Sequence, residues 1–215
     1  MFKVVILIAK SDLLQNEFDG LMPLVSAEKQ KRIKKFRFFQ DAQNCLLGDV
    51  LARTEICRAT GLDNSQLRFS TNTYGKPFLI NNDSIHFNIS HTGFYVACVV
   101  ADEPVGIDIE IIKPIELKIA ERFFTSDEAA YVMDRDYICR FYEVWTKKES
   151  HIKCEGQGLG KPLTSFSVFE INEKRPLFYH KVFQNEKAVC HVCSAKKAPP
   201  SIRVIGIDTF IQSVR

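Results

Sequence analysis

The sequence predicts an α+β chain built as two similar α/β halves, and three observations carry that expectation. Short apolar runs with period-two alternation crowd residues 67–111, while helical spacing governs residues 26–61 and 138–155. The order strand, helix, then strands occurs twice, with a division near Glu103-Pro104, so residues 1–104 and 105–215 are expected as the two halves. No low-complexity linker separates them, so they are expected to pack together. Of the 215 residues, 46% are hydrophobic and 26% charged, which excludes a disordered, collagen-like or coiled-coil chain. Twenty-nine basic and 26 acidic residues leave a net charge of +3, which argues against a nucleic-acid binder that uses its whole surface.

The opening segment MFKVVILIAK reads as a buried strand. Its apolar run is too short for a membrane span and lacks a cleavage site, and no other stretch approaches the roughly 20 residues a span needs, so the cytoplasm is expected. Ser26 can cap a helix that Gly61 ends, with Leu46, Leu47, Val50, Leu51 and Cys57 facing a core. Lys29, Lys31, Arg32, Lys34, Lys35 and Arg37 crowd its start; alone, that run fits a solvated face as well as a polyphosphate or nucleic-acid contact.

LRFST, KPFLI, IHFNIS and YVACVVA then read as strands of a mostly antiparallel sheet, followed by VGIDIEII. Ile115 to Phe124 reads as a helix, and Thr125-Ser126-Asp127-Glu128 as a capping box opening the next. A longer helix runs from about Ile138 to Glu155 and stops at Gly156. SFSVFEI, AVCHVCS and GIDTFIQSV read as further strands. The seven cysteines sit mostly in apolar or helical contexts and suit reduced core thiols. Cys190-His191-Val192-Cys193 has the spacing of half a zinc knuckle, but strand alternation sends its cysteines to opposite faces, so core packing is expected.

Three carboxylates carry the chemistry. Asp108 and Glu110 are two apart on a strand and share a face, where they repel unless solvated or bridged by a hard cation such as magnesium. Tyr142, Trp145, Glu149 and Ile152 follow a 3, 4, 3 spacing that places Glu149 on an apolar helical stripe. There it needs a cation: Lys153 four residues on, or a metal shared with Asp108 and Glu110. Ser90-His91-Thr92-Gly93 and Gly75-Lys76-Pro77 are donor-rich turns that describe a polyphosphate site when combined with the basic helix start.

These residues resemble the 4'-phosphopantetheinyl transferases of the surfactin-synthetase-activating (Sfp) type. The likeness runs over SAEKQKRIKKF, LLGDVLAR, YGKPF, HFNISHTG, VGIDIE, RFFTSDE and FYEVWTKKESHIKCEGQGL; GIDIE followed by WTKKES and Lys153, with SHTG upstream, is its most specific part. The resemblance implies two α/β halves related by a pseudo-twofold axis in a cytoplasmic monomer, with coenzyme A between them. It implies magnesium on Asp108, Glu110 and Glu149, a 3'-phosphate site of Lys29, Arg32, Ser90 and His91, an adenine end of Tyr74, Gly75, Lys76 and Pro77, and Lys153 against the pyrophosphate. Arg32 stands where a Lys is usual and His151 where an aromatic residue is common.

The implied reaction moves 4'-phosphopantetheine from coenzyme A to a serine of apo peptidyl or acyl carrier protein domains, activating non-ribosomal peptide or polyketide synthetases. Glu149, directly or through a metal-bound water, is the candidate base for the serine proton, and Lys153 the second catalytic residue. The segment Ile111 to Phe124, through Lys113, Ile115, Leu117, Lys118 and Phe124, is expected to meet the carrier, and neither nucleic acid nor membrane is an expected partner.

Overall fold

The structure is a computed structural model that describes residues 1–80 and 82–214, Leu159 by its backbone alone. In chain order the elements are β1 (Phe2–Ile8), α1 (Gln15–Leu21), α2 (Ala27–Ile33), α3 (Phe39–Thr60), β2 (Phe69–Thr71), β3 (Pro77–Leu79), β4 (His86–Thr92) and β5 (Tyr95–Ala101). Then follow β6 (Val105–Ile111), α4 (Lys118–Phe123), α5 (Ser126–Asp134), α6 (Tyr137–Glu155), β7 (Phe178–Gln184), β8 (Ala188–Ser194), β9 (Ser201–Gly206) and α7 (Ile207–Val214). One sheet has the order β4-β5-β1-β9, a second β6-β8-β7, and β2-β3 forms a small ribbon. β5 pairs antiparallel with both β4 and β1, while β9 joins β1 in parallel, so the last strand returns to the first half's sheet.

Alternation along the strands builds two cores. Val5, Leu7, Val96, Cys98 and Val100 face Leu46, Leu47, Val50 and Leu51 of α3. On the opposite face Val4, Ile6, Ala97 and Val99 meet Val105, Ile107, Ile109, Cys190 and Val192 of the second sheet, so the two sheets bury their inner faces against each other. Because Ile107 and Ile109 point inward, Gly106, Asp108 and Glu110 point outward. A third cluster, with Phe124, Phe141, Tyr142 and Val144, holds α4, α5 and α6 together.

The mixed helix and sheet composition agrees with the sequence reading, and β1, β4, β5, β6, β8 and α6 fall within a residue or two of expectation. Five local expectations are corrected. The helix expected from Ser26 to Gly61 is two: Ser26 caps α2 by accepting the Lys29 N–H at 3.2 Å, α2 ends at the cationic stretch, and Gly61 at φ 74° ends α3. The helix expected from Ile115 starts at Lys118, with Leu117 as its N-cap, whose carbonyl accepts the Ala120 N–H at 2.9 Å. GIDTFIQSV is helical, with Phe210 and Ile211 buried, and the strand of that region is Ser201–Gly206. SFSVFEI is irregular, and the Val168 N–H is donated to Glu128 Oε1 at 2.8 Å instead of to a ladder. Cys139 is exposed, not a core thiol, whereas Cys98, Cys154, Cys190 and Cys193 are buried.

Candidate active site

Helix α6 lies directly on β6 because residue 106 has no side chain. A Cβ there would stand 2.0 Å from the Ser150 carbonyl oxygen and 2.3 Å from the Cys154 nitrogen. This contact sets Glu149 and Lys153 beside Asp108, the next outward residue of β6. Lys153 pairs with Asp108, its Nζ 2.5 Å from Oδ1, and donates a second bond to Ser90 Oγ at 3.1 Å. The lysine thus joins helix to strand; among the described residues its close ion pair is with Asp108, while its charge still favours the ionised form of Glu149 from one turn away.

The seam between the halves is held by side chains. Asn88, Ser90 and Thr92 stand at every second position of β4, and each reaches β6. Asn88 Oδ1 accepts the Ile107 N–H at 2.9 Å, Ser90 Oγ donates to Asp108 Oδ1 at 2.9 Å and accepts the Ile109 N–H at 3.4 Å, and Thr92 hydrogen-bonds Glu110. Sequence reasoning names Thr92 only within the donor-rich turn and does not single out Asn88, although the alternation in HFNISHT marks both as sharing one face.

The three acids are electrostatically crowded. Burial, then the Asp108 charge, pushes Glu110 up to about 7, against the opposing pull of Lys153. Burial and Asp108 likewise raise Glu149 above the usual carboxylate range. Asp108 is buried, and its Oδ2 meets no hydrogen-bond partner among the described residues. Also among the described residues, no three His, Cys, Asp or Glu side chains converge as a ready-made metal cluster. The donor set nevertheless suits a hard divalent cation: three carboxylates supply only oxygen, and an orphaned buried carboxylate oxygen gains what the fold leaves it lacking.

On the other flank, Lys29 of α2 lies 3.0 Å from Asp49 and acts with Arg32 on the nearby thiol of Cys45. His91 is exposed at the end of β4, and its imidazole is held below the ordinary value by the surrounding protein, then by Lys153 and, more weakly, Lys29. Tyr74 is exposed, Gly75 takes φ 83°, and Pro77 opens β3. Asn72 shapes this turn: its Oδ1 accepts the N–H groups of Tyr74 and Lys76, each at 2.9 Å, and its Nδ2 donates to Gly156 O at 2.8 Å. Lys76 folds inward and donates to the carbonyls of Val105, Lys153 and Cys154, which neutralises the C-terminal turn of α6.

The far side of α6 is anchored in the interior. Lys148 and Glu128 are both fully buried, 2.7 Å apart, and Lys148 also donates to the carbonyls of Leu163 and Phe166. His151 stacks on Phe166 at 4.0 Å and sits 2.7 Å from the Tyr179 hydroxyl; burial holds it down at about 4, so it is a neutral packing residue at physiological pH. In the segment expected to meet a carrier, Lys113, Leu117 and Lys118 are exposed. Phe124 is buried against Phe141 and Trp145 and is withdrawn from that surface.

Two family descriptions match the chain: "4'-phosphopantetheinyl transferase, N-terminal" over residues 13–104, and "4'-phosphopantetheinyl transferase superfamily" over residues 104–208. The chain belongs to the 4'-phosphopantetheinyl transferase superfamily. It is 46% identical over 159 residues to 4'-phosphopantetheinyl transferase Sfp of Bacillus subtilis (strain 168), covering 73% of this chain and 71% of the relative. It is also 34% identical over 206 residues to 4'-phosphopantetheinyl transferase gsp of Aneurinibacillus migulanus, covering 90% and 86%. No described helix is long and apolar enough to cross a membrane.

Proposed function

We propose that the chain transfers 4'-phosphopantetheine from coenzyme A to the serine hydroxyl of an apo peptidyl or acyl carrier protein domain, releasing adenosine 3',5'-bisphosphate. The observation that carries this reading is the juxtaposition of Asp108, Glu110, Glu149 and Lys153 where α6 crosses Gly106. Asp108, Glu110 and Glu149 would hold magnesium, which supplies positive charge to the pyrophosphate and to the departing phosphate when bound.

The chain's own residues divide the remaining work. Lys153, already beside Asp108, offers its ammonium to the pyrophosphate oxygens. Ser90 orients Asp108 by donating to its Oδ1, while His91, Lys29 and Arg32 line the side assigned to the 3'-phosphate. Tyr74, Gly75 and Pro77 present the adenine end on a turn that Asn72 and Lys76 hold against α6. Glu149, with its carboxyl raised by burial and Asp108, takes the serine proton as the oxygen attacks phosphorus in line. Lys113, Leu117 and Lys118 offer a basic and apolar edge to an acidic carrier. A cytoplasmic monomer serving peptide or polyketide synthetases completes the reading.

The test is stoichiometric. Adenosine 3',5'-bisphosphate is expected to appear one-for-one with modified carrier, and neither product should form on a carrier whose acceptor serine is replaced by alanine. Nucleotide release that persists on the serine-less carrier would show hydrolysis in place of transfer.

A further inference from the structure

The turn between β4 and β5 is held from outside the sheet by two side chains of α3. Thr92 pairs with Tyr95 across it, so Gly93 and Phe94 alone form the loop, with Gly93 at φ 50°. The carbonyls of such a loop ordinarily face water. Here Gly93 O accepts from Gln40 Nε2 and from Asn44 Nδ2, each at 2.9 Å, and Phe94 O accepts the Ala9 N–H at 2.9 Å. Gln40 and Asn44 are four residues apart, so both amides lie on one face of the first turns of α3. Asn44 is buried, so water cannot take over its bond to the carbonyl.

The opposite side of the loop is fixed as well, because a Cβ on Gly93 would collide with Ile111 Cδ1 at the end of β6. The loop is therefore seated between α3 and the strand that carries Asp108 and Glu110. Its position also sets that of His91. Ile89 packs on α3, its Cγ2 standing 3.0 Å from where a Cβ of Gly48 would be, and two residues on His91 leaves β4 on the same side. Following β4 from Ile89 to Gly93 retraces α3 from Gly48 back to Asn44 and Gln40, so His91 lies between the Gly48 contact and the clamped carbonyl.

We propose that Gln40 and Asn44 are positioning residues that set the preference for a donor bearing a 3'-phosphate, an inference that rests on the transfer reading's assignment of Lys29, Arg32 and His91 to that phosphate. The two amides act through the turn. By fixing the Gly93 carbonyl they fix where His91 stands beside α3, and hence its reach to a phosphate attracted by Lys29 and Arg32 of α2. Without the clamp the turn and His91 shift together. The pyrophosphate side keeps its geometry, because Asp108 and Lys153 are placed by the contact of α6 with Gly106.

The test compares, by calorimetry in magnesium buffer, the binding of coenzyme A and of 3'-dephospho-coenzyme A to the full chain and to two uncharged variants. Gln40→Met, at a half-buried position, and Asn44→Leu each keep the side chain's size and remove its N–H donors. The parent is expected to bind coenzyme A more tightly than the dephospho donor. Each variant should lose coenzyme A affinity by roughly three- to tenfold, the range one hydrogen bond is worth. Affinity for the dephospho donor should stay within about twofold of the parent, which a general disturbance of the fold would not allow. Equal losses for both donors, an undiminished preference in both variants, or a parent that does not distinguish the donors would each overturn the proposal. Carrier modification is followed in the same samples. A parent that distinguishes the donors but modifies no carrier fails the transfer reading and leaves the clamp standing; a parent that modifies carrier while both variants keep its preference does the reverse.

Discussion

Gly106 and Ser150 meet backbone to backbone: a methyl group on the glycine would stand 2.0 Å from the serine carbonyl oxygen. That contact sets how far α6 sits from β6, and hence whether Lys153 reaches Asp108. Gly106→Ala must push helix from strand, since the three obstructing atoms, from Ser150, Lys153 and Cys154, all belong to the backbone. A stability loss of about 3 kcal/mol or more is expected. Urea unfolding checks it; a variant within about 0.5 kcal/mol of the parent, the range of neutral surface changes, would contradict the contact.

Glu110 gives the pH dependence a definite sign. Burial and Asp108 raise its carboxyl from 4.5 to about 7, so between those values the folded chain holds a proton that the unfolded chain has released. Its contribution is full below pH 4.5 and is lost as pH rises through about 7. Without divalent cation, Glu110→Gln should therefore be more stable than the parent by about 1–2 kcal/mol at pH 8, after screening at its accessible edge, and the advantage should vanish toward pH 4.5. Magnesium affinity of the parent should fall below pH 7 for the same reason. A Gln advantage of equal size at pH 5 and pH 8 would show that the cost of the Glu110 charge, from burial and from Asp108, is not its source.

The buried pair Lys148–Glu128 is expected to behave as a network. Lys148→Met strands an anion in the interior together with the Leu163 and Phe166 carbonyls and should cost about 3–5 kcal/mol. Adding Glu128→Leu should fail to restore the parent, because the Thr125 and Val168 N–H groups then lose their acceptor as well. Full recovery in denaturant melts of the double variant would reduce the network to a simple ion pair.

Asn72 is expected to matter through the turn it holds. Asn72→Ala removes acceptors for two N–H groups and the bond to Gly156, at a cost of about 1–2 kcal/mol. Amide exchange at Tyr74 and Lys76 should quicken while β1 and β5 stay protected. Unchanged exchange at the turn would leave Asn72 without this role.

The readable parts of the sequence were those where one local period dominates. The outward pair Asp108 and Glu110, and Glu149 on α6, follow from alternation and helical spacing alone. The less readable parts depend on distant partners. β9 pairs with β1 nearly 200 residues earlier, and its outer residues are exposed, so it carries little alternation. In contrast, Ile207, Phe210, Ile211 and Val214 have helical spacing, which an apolar terminal segment obscured by inviting a strand reading. The sequence places Lys76 in a donor-rich turn, but its ammonium finds the α6 carbonyls only once the halves pack. Phe124 fits a docking surface by composition and the interior by packing, and burial decides for the interior.

Phosphopantetheinyl transfer by the acids gathered at the Gly106 crossing, with Lys153, is read from the intact mass of an apo peptidyl carrier protein incubated with coenzyme A, magnesium and this chain. A gain of about 340 Da, the mass of the transferred group, is expected, lost with Asp108→Ala and lost when magnesium is withheld. An unmodified carrier despite measurable coenzyme A binding by the parent chain, or full modification by Asp108→Ala, would contradict it.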